Sequence, residues 1–242
     1  SGMNFSEYVA ILSGNTDLLE KAKLEKQIAG LHSERQAFNR SKFSSKYKLE
    51  DITASMEAAS SRLERMKTDW DNLQKRIQKR QDGTIANPVQ LTDLPATADV
   101  KQIGAKLNEL SAKSRTEGEY LEIGSLYGFT LLVKTEISKK DGMDIKDNRF
   151  FVMGEGGIKY TYNNGQMASD PKLASMNFLN ALEKLPGLME QEEKKIAGMK
   201  KDLSVMQEVV NGTWTKEKQL TDLKNELAGL DRKILLSISS EQ

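Results

Sequence analysis

His32 is the single histidine of this 242-residue chain, which has no cysteine. A lone imidazole has no second nitrogen and no thiolate with which to share a metal ion. Serine–histidine chemistry would need that ring beside an activated serine, and no G-x-S-x-G elbow occurs. His32 therefore reads as a flanking helix residue. The run Gly154-Glu155-Gly156-Gly157 invites a phosphate-loop reading. A phosphate loop needs a strand before it and a helix after it, with a lysine at the helix start. Strand-like residues follow this run instead, so it reads as a hairpin turn. Gly104-Ala105-Lys106 lacks the upstream glycine of a nucleotide-binding loop. Carboxylates such as Glu190, Glu192 and Glu193 fall on helix faces, where they solvate the surface. No residues are assigned to catalysis, to a cofactor or to a metal, and the chain itself reads as non-enzymatic.

The residue types that could act on a ligand are cations. Between Glu34 and Lys48 the sequence carries Arg35, Arg40, Lys42, Lys46 and Lys48 against a single acid. A second group is Lys75, Arg76, Lys79 and Arg80, and a third is Lys194, Lys195, Lys200 and Lys201. Cations along a helix neutralise phosphates without reading base sequence. The first two groups are the candidate nucleic-acid contacts. The alternative is a solvated, salt-bridged helix surface.

The element that must position the first group is a long helix. An apolar seam stepping by three and four residues runs from Leu24 and Ile28 through Leu31, Phe38, Leu49, Ile52, Met56, Leu63, Met66 and Leu73 to Ile77. A strict 3.5-residue period keeps one stripe toward a partner helix, as in a coiled coil. About sixty residues at ~1.5 Å rise make a rod of roughly 90 Å. Asn15 or Thr16 caps its start, a short helix over Phe5 to Leu12 precedes it, and Gly83 with Pro88 ends it near Arg80. Inside it, Asn39 to Ser45 is polar and the seam reads Arg35, Lys42 and Ser45. Trp70 and Trp214 pack on the seam, with base stacking the alternative.

Composition excludes several classes. The net charge of +1 gives no global attraction to nucleic acid or acidic lipid. No stretch approaches the ~18 apolar residues of a membrane span, and no signal peptide is visible. The lack of cysteine fits a reducing cytoplasm. Ser1-Gly2 reads as a cloning scar, with Met3 then an internal residue of something longer.

The hydrophobic period changes after the first helix. Asp99 caps a helix whose inner face is Val100, Ile103, Leu107 and Leu110. Strand-like runs follow at Tyr120–Ile123, Phe129–Glu136, Phe150–Met153 and Ile158–Tyr162, with Val89–Leu91 before them. Turn signals separate them at Gly124, Gly128, Asp141-Gly142 and Asn163-Asn164-Gly165. Asp170-Pro171 then opens a second helical arm. Its seam is Leu182, Leu185, Met189, Ile196, Met199, Leu203 and Val210, and it restarts after Asn211-Gly212 with Leu220, Leu223, Leu227, Leu230 and Ile234. The expected fold is mainly α with a small α+β insertion: an N-terminal coiled-coil arm over 1–83, a head over 84–169 and a C-terminal arm over 170–242 broken near 211–214. Folded as an antiparallel stalk, the arms place Asn211-Gly212 opposite about Phe43, so a kink or hinge is expected there. The competing arrangement reverses at Gly212 into a three-helix bundle.

The run Ile11-Leu12-Ser13-Gly14-Asn15-Thr16-Asp17-Leu18-Leu19-Glu20-Lys21 resembles the region after the helicase core in large Swi/Snf-like helicase and N6-adenine DNA methyltransferase proteins of mobile elements, notably in Bacteroidetes. Thr16 stands where proline is common in that pattern. Tyr127-Gly128-Phe129-Thr130-Leu131, Ile158-Lys159-Tyr160 and Leu182-Glu183-Lys184-Leu185 fit as well. The family's ATPase and methylase motifs are absent; Asn87-Pro88-Val89, for one, lacks the second proline and the aromatic of the amino-methylase motif. The resemblance implies a helicase-associated, methylase-associated accessory module. Its implied partners are duplex DNA and the parent protein's catalytic domains, with no membrane and no cofactor. A protein–protein interaction or dimerisation scaffold without nucleic-acid contact, with a homodimer through the stalk, is the alternative.

Overall fold

A computed structural model describes residues 2–240; Ser1 of the expected Ser1-Gly2 scar lies outside them. The protein is mainly α, with a small antiparallel sheet. It divides into two compact units, Ala54–Lys200 and the pair Ser1–Thr53 with Lys201–Gln242. Helix α1 (Phe5–Ser13) is capped by the Asn4 side chain and ended by Gly14. The Asn15 carboxamide then accepts from the Asp17 and Leu18 amides and opens α2, Thr16–Arg76, a single helix of 61 residues. Every seam position from Leu24 to Ile77 is buried or half-buried. The polar stretch from Asn39 to Ser45 does not interrupt α2. It lacks glycine and proline, so nothing in it breaks the ladder.

The larger unit is built on a five-stranded meander: β3 (Gln90–Leu91), β4 (Tyr120–Leu126), β5 (Phe129–Lys140), β6 (Met143–Met153) and β7 (Lys159–Tyr160), each antiparallel to the next. A separate ribbon, β1 (Gln78–Lys79) with β2 (Ile85–Ala86), follows α2. Two-residue turns join β4 to β5 at Tyr127-Gly128 and β5 to β6 at Asp141-Gly142. All four residues have positive φ, the primed turn that matches strand twist, and glycine second makes it accessible. Leu131, Val133, Phe150, Val152 and Tyr160 lie in the hydrophobic core beside Ile103 and Leu107 of α3 (Val100–Lys113), and Met66 and Leu73 of α2 join them. Val100, expected on the inner face of α3, is instead exposed. Asp99 and Gln102 close a reciprocal capping box at its start.

Helix α4 (Pro171–Glu183) follows the Asp170 cap as expected, but it does not continue into the C-terminal arm. It ends at Glu183 and places Ala174, Phe178, Leu179 and Leu182 in the core of the sheet unit. Helix α5 (Leu185–Asn211) restarts with Pro186, whose ring nitrogen cannot carry the ladder onward. Within the larger unit its first turns meet α2 through an Arg62–Glu192 ion pair at 3.3 Å.

In the smaller unit α6 (Glu217–Ser240) runs antiparallel to the first part of α2. Ion pairs fix the register: Lys21 with Asp231 at 2.9 Å, Arg35 with Glu217 at 3.3 Å and Lys233 with Asp17 at 3.5 Å. A helix reversing at Gly212 would run the other way along α2, so the bundle arrangement is not adopted in this unit. Ile28, Leu31 and Leu220 form its core, joined by Trp214, Leu223 and Leu227. Among the described residues, no helix is long and apolar enough to cross a membrane.

Candidate nucleic-acid interface

Two of the polar positions in the α2 seam, Arg35 and Lys42, have partners in the smaller unit. Helix α5 ends at Asn211 and α6 begins at Glu217, leaving backbone carbonyls at the end of α5 without helical donors. Lys42 is half-buried, and its ammonium donates to the Gly212 carbonyl at 3.0 Å. A cation at the negative end of a helix is favourable on both counts. Arg35 lies seven residues, one heptad, earlier on the same seam. It pairs with Glu217, donates toward His32 Nδ1 at 3.1 Å and sits 5.9 Å from the Trp214 ring centroid. Burial, followed by the neighbouring Lys224 and Arg35 cations, lowers the His32 pKa. Arg35 and Lys42 therefore answer the break in the opposing helices. They are internal cations first.

The remaining cations of that stretch point elsewhere. Arg40, Lys46 and Lys48 are exposed, and none makes an ion pair among the described residues. Arg40, Phe43 and Tyr47 follow the i, i+3, i+7 spacing that lines up one helix face, away from the seam positions Phe38, Lys42, Ser45 and Leu49. Phe43 is 62% exposed and Tyr47 58%, and their rings meet edge to face with centroids 5.0 Å apart. Sequence reading found the cations but not this aromatic pair. Its signal was present: two aromatics four residues apart, off the seam register, inside a basic run.

The second group divides in the same way, within the larger unit. Arg76 is taken up internally: it donates to Glu155 at 2.6 Å and to the Tyr127 carbonyl at 3.2 Å, and sits 5.7 Å from the Phe129 ring centroid. Lys75, Lys79 and Arg80 are exposed. Lys79 lies on β1, and Arg80 opens the β1–β2 turn through its amide bond to the Thr84 carbonyl at 2.7 Å. The Tyr127 hydroxyl holds this ribbon, accepting from the Gln78 amide and donating to the Ala86 carbonyl.

The glycine run joins β6 to β7 as a turn and is held by α2. Asp69 accepts from the Glu155 amide at 3.1 Å, and Arg65 donates to the Gly156 carbonyl at 3.0 Å. A Cβ at Gly154 would collide with the Asp69 carboxylate, and one at Gly156 with the Arg65 stem. The glycines allow close helix approach, so phosphate binding is not needed to explain them. No cluster of three or more His, Asp or Glu suited to a metal ion exists among the described residues.

A family model described as a domain of unknown function (DUF8438) matches residues 74–182, a span running from the end of α2 to the end of α4. No curated protein matches the chain, and no solved structure does.

Proposed function

We propose that this chain is a non-catalytic accessory module that holds duplex DNA for a helicase or N6-adenine methyltransferase of a mobile element, acting in the cytoplasm. Its helical arms form an antiparallel coiled-coil stalk, and the exposed cations of α2 lie on the phosphate backbone. The parent's catalytic domains are its covalent partners. The observation that supports this most is the sorting of cations in the Arg35–Lys48 stretch. Arg35 and Lys42 have partners within the fold, whereas Arg40, Lys46 and Lys48 stand in solvent around two exposed aromatic rings. Unpaired cations on a rigid helix bind phosphates without sequence preference.

Phe43 and Tyr47 also support a second reading, in which this face pairs with another protein or a second copy of the stalk. Filter binding of a 30-base-pair duplex at low salt separates the two, with light scattering on the same samples. The DNA reading expects Arg40→Glu/Lys46→Glu/Lys48→Glu to abolish retention while mass stays unchanged. Retention by the reversed-charge protein equal to wild type overturns it. A change of mass with no DNA retention by either protein supports the interaction reading.

A further inference from the structure

The sheet of the larger unit has a second face that no helix of its core occupies. Direct cross-strand partners share a face, so Tyr120 of β4, Lys134 of β5 and Arg149 of β6 stand together, as do Leu132 with Phe151 and Met153 with Lys159. This is the face opposite Leu131, Val133, Phe150 and Val152. A bulge at Ile123 lets Tyr120 and Glu122 keep to the outer side while Gly124 and Leu126 turn to the core.

Four side chains from four strands converge there. Tyr120 is 41% exposed, and the Phe151 ring meets its ring edge to face at 5.2 Å. The Lys134 ammonium lies 4.9 Å from the Tyr120 ring centroid and the Lys159 ammonium 4.5 Å. Lys159 comes from the far strand of the sheet, and its ammonium reaches back over the Tyr120 ring. Leu132 is buried beneath the cluster. Arg149 on the same face is neutralised by Asp147 at 3.0 Å and, more distantly, Glu136 at 3.9 Å. Neither lysine has a carboxylate partner among the described residues, and Glu122 on that face pairs with neither.

We infer that this sheet face binds single-stranded nucleic acid, with a base displacing the ammonium groups from the Tyr120 ring to stack on it and Lys134 and Lys159 turning to the flanking phosphates. Two like charges drawn to one ring, neither paired with an acid among the described residues, are complementary to an anionic backbone. The exposed ring decides between anions. An acidic peptide needs the lysines alone, whereas a strand of nucleotides supplies a π-face with each phosphate. Duplex DNA keeps its bases stacked inside and cannot use the ring. This inference goes beyond the duplex contact proposed for α2 and uses a different unit.

The test is fluorescence anisotropy of a labelled twenty-nucleotide oligothymidine, on the full chain carrying Arg40→Glu/Lys46→Glu/Lys48→Glu so that α2 does not contribute. Binding that survives in this background and weakens about tenfold with Tyr120→Leu, the scale of one lost base–aromatic stack, is expected. Tyr120→Phe should retain full affinity. Lys134→Gln/Lys159→Gln should flatten the salt dependence by about 1.4 in log–log slope, for two phosphates on a single strand. Unchanged circular dichroism establishes folding of each variant; the Lys pair, exposed or half-exposed, serves should Tyr120→Leu misfold. No oligothymidine binding, binding indifferent to both substitutions, or equal binding of poly-glutamate would each overturn the inference.

Discussion

The Tyr160 hydroxyl donates a 2.6 Å hydrogen bond to Asp69 Oδ2, joining β7 to α2 in the interior of the larger unit, where Asp69 has no exposed surface at all. The other carboxylate oxygen accepts the Glu155 amide. Burial raises the Asp69 pKa, and the two hydrogen bonds oppose that rise without cancelling it. Burial, then the bond to Asp69, also pushes the Tyr160 phenol well up. One carboxylate thus ties the helix to both the β6–β7 turn and the last strand.

The sign of the pH effect follows. Asp69 holds its proton to higher pH when folded than when unfolded, so its contribution is greatest below the ordinary carboxylate value and declines as pH rises through the raised folded one. Asp69→Asn does not titrate. Urea unfolding between pH 3.5 and 7 should show wild type losing ground to Asp69→Asn as pH rises, and a gap that widens the other way would refute this. Tyr160→Phe should cost about 1–3 kcal/mol by leaving the buried carboxylate without that donor.

Glycines separate by what a Cβ would meet. Gly154→Ala drives a methyl into the Asp69 carboxylate and should destabilise by roughly 1–3 kcal/mol, as overpacking does. Gly30 sits within α2 with open space around it, so Gly30→Ala should stabilise by about 0.5–1 kcal/mol. Thermal unfolding of both variants reads the two signs.

The far end of α3 depends on one amide. Asn148 is buried and donates to the Ser111 carbonyl at 2.8 Å and the Ser114 carbonyl at 3.0 Å, while its oxygen accepts from Thr135 at 2.6 Å. Thr135 in turn exchanges bonds with Thr116, at 2.9 and 2.7 Å. Asn148→Ala should cost about 1–3 kcal/mol in denaturant unfolding by leaving buried groups unpaired. A double-mutant cycle with Thr135→Val should give clear coupling, and strict additivity would argue against a shared network.

Internal and surface cations should separate in solution. Lys42→Met removes the donor to Gly212 and should lower stability by about 0.5–1.5 kcal/mol while sparing duplex affinity. Lys46→Gln should do the reverse. Equal losses of duplex affinity in both would erase the distinction drawn between them.

Features fixed by local chemistry were legible in the sequence. The seam register, the Asn15, Asp99 and Asp170 caps, and the Asp141-Gly142 turn all depend on residues a few positions apart. The level of the break opposite Lys42 followed from counting along two arms, though only the C-terminal arm is interrupted. The end of α4 was missed because the apolar spacing runs unbroken through Leu182 and Leu185, with Pro186 the overlooked mark. The ribbon of β1 and β2 is two residues a side, too short for a periodic signal. The outer sheet face was hidden by the bulge at Ile123, which shifts alternation within one strand. The exposure of Phe43 and Tyr47 could be placed off the seam, but their contact is a rotamer matter.

The central claim is that the unpaired cations of α2 lie on duplex phosphates, and the salt dependence of duplex affinity tests it most directly. Each phosphate contact contributes about 0.9 to the log–log slope. Arg40→Gln/Lys46→Gln/Lys48→Gln should flatten the wild-type slope by about 2.7 on that basis. An identical slope in the two proteins would contradict the account.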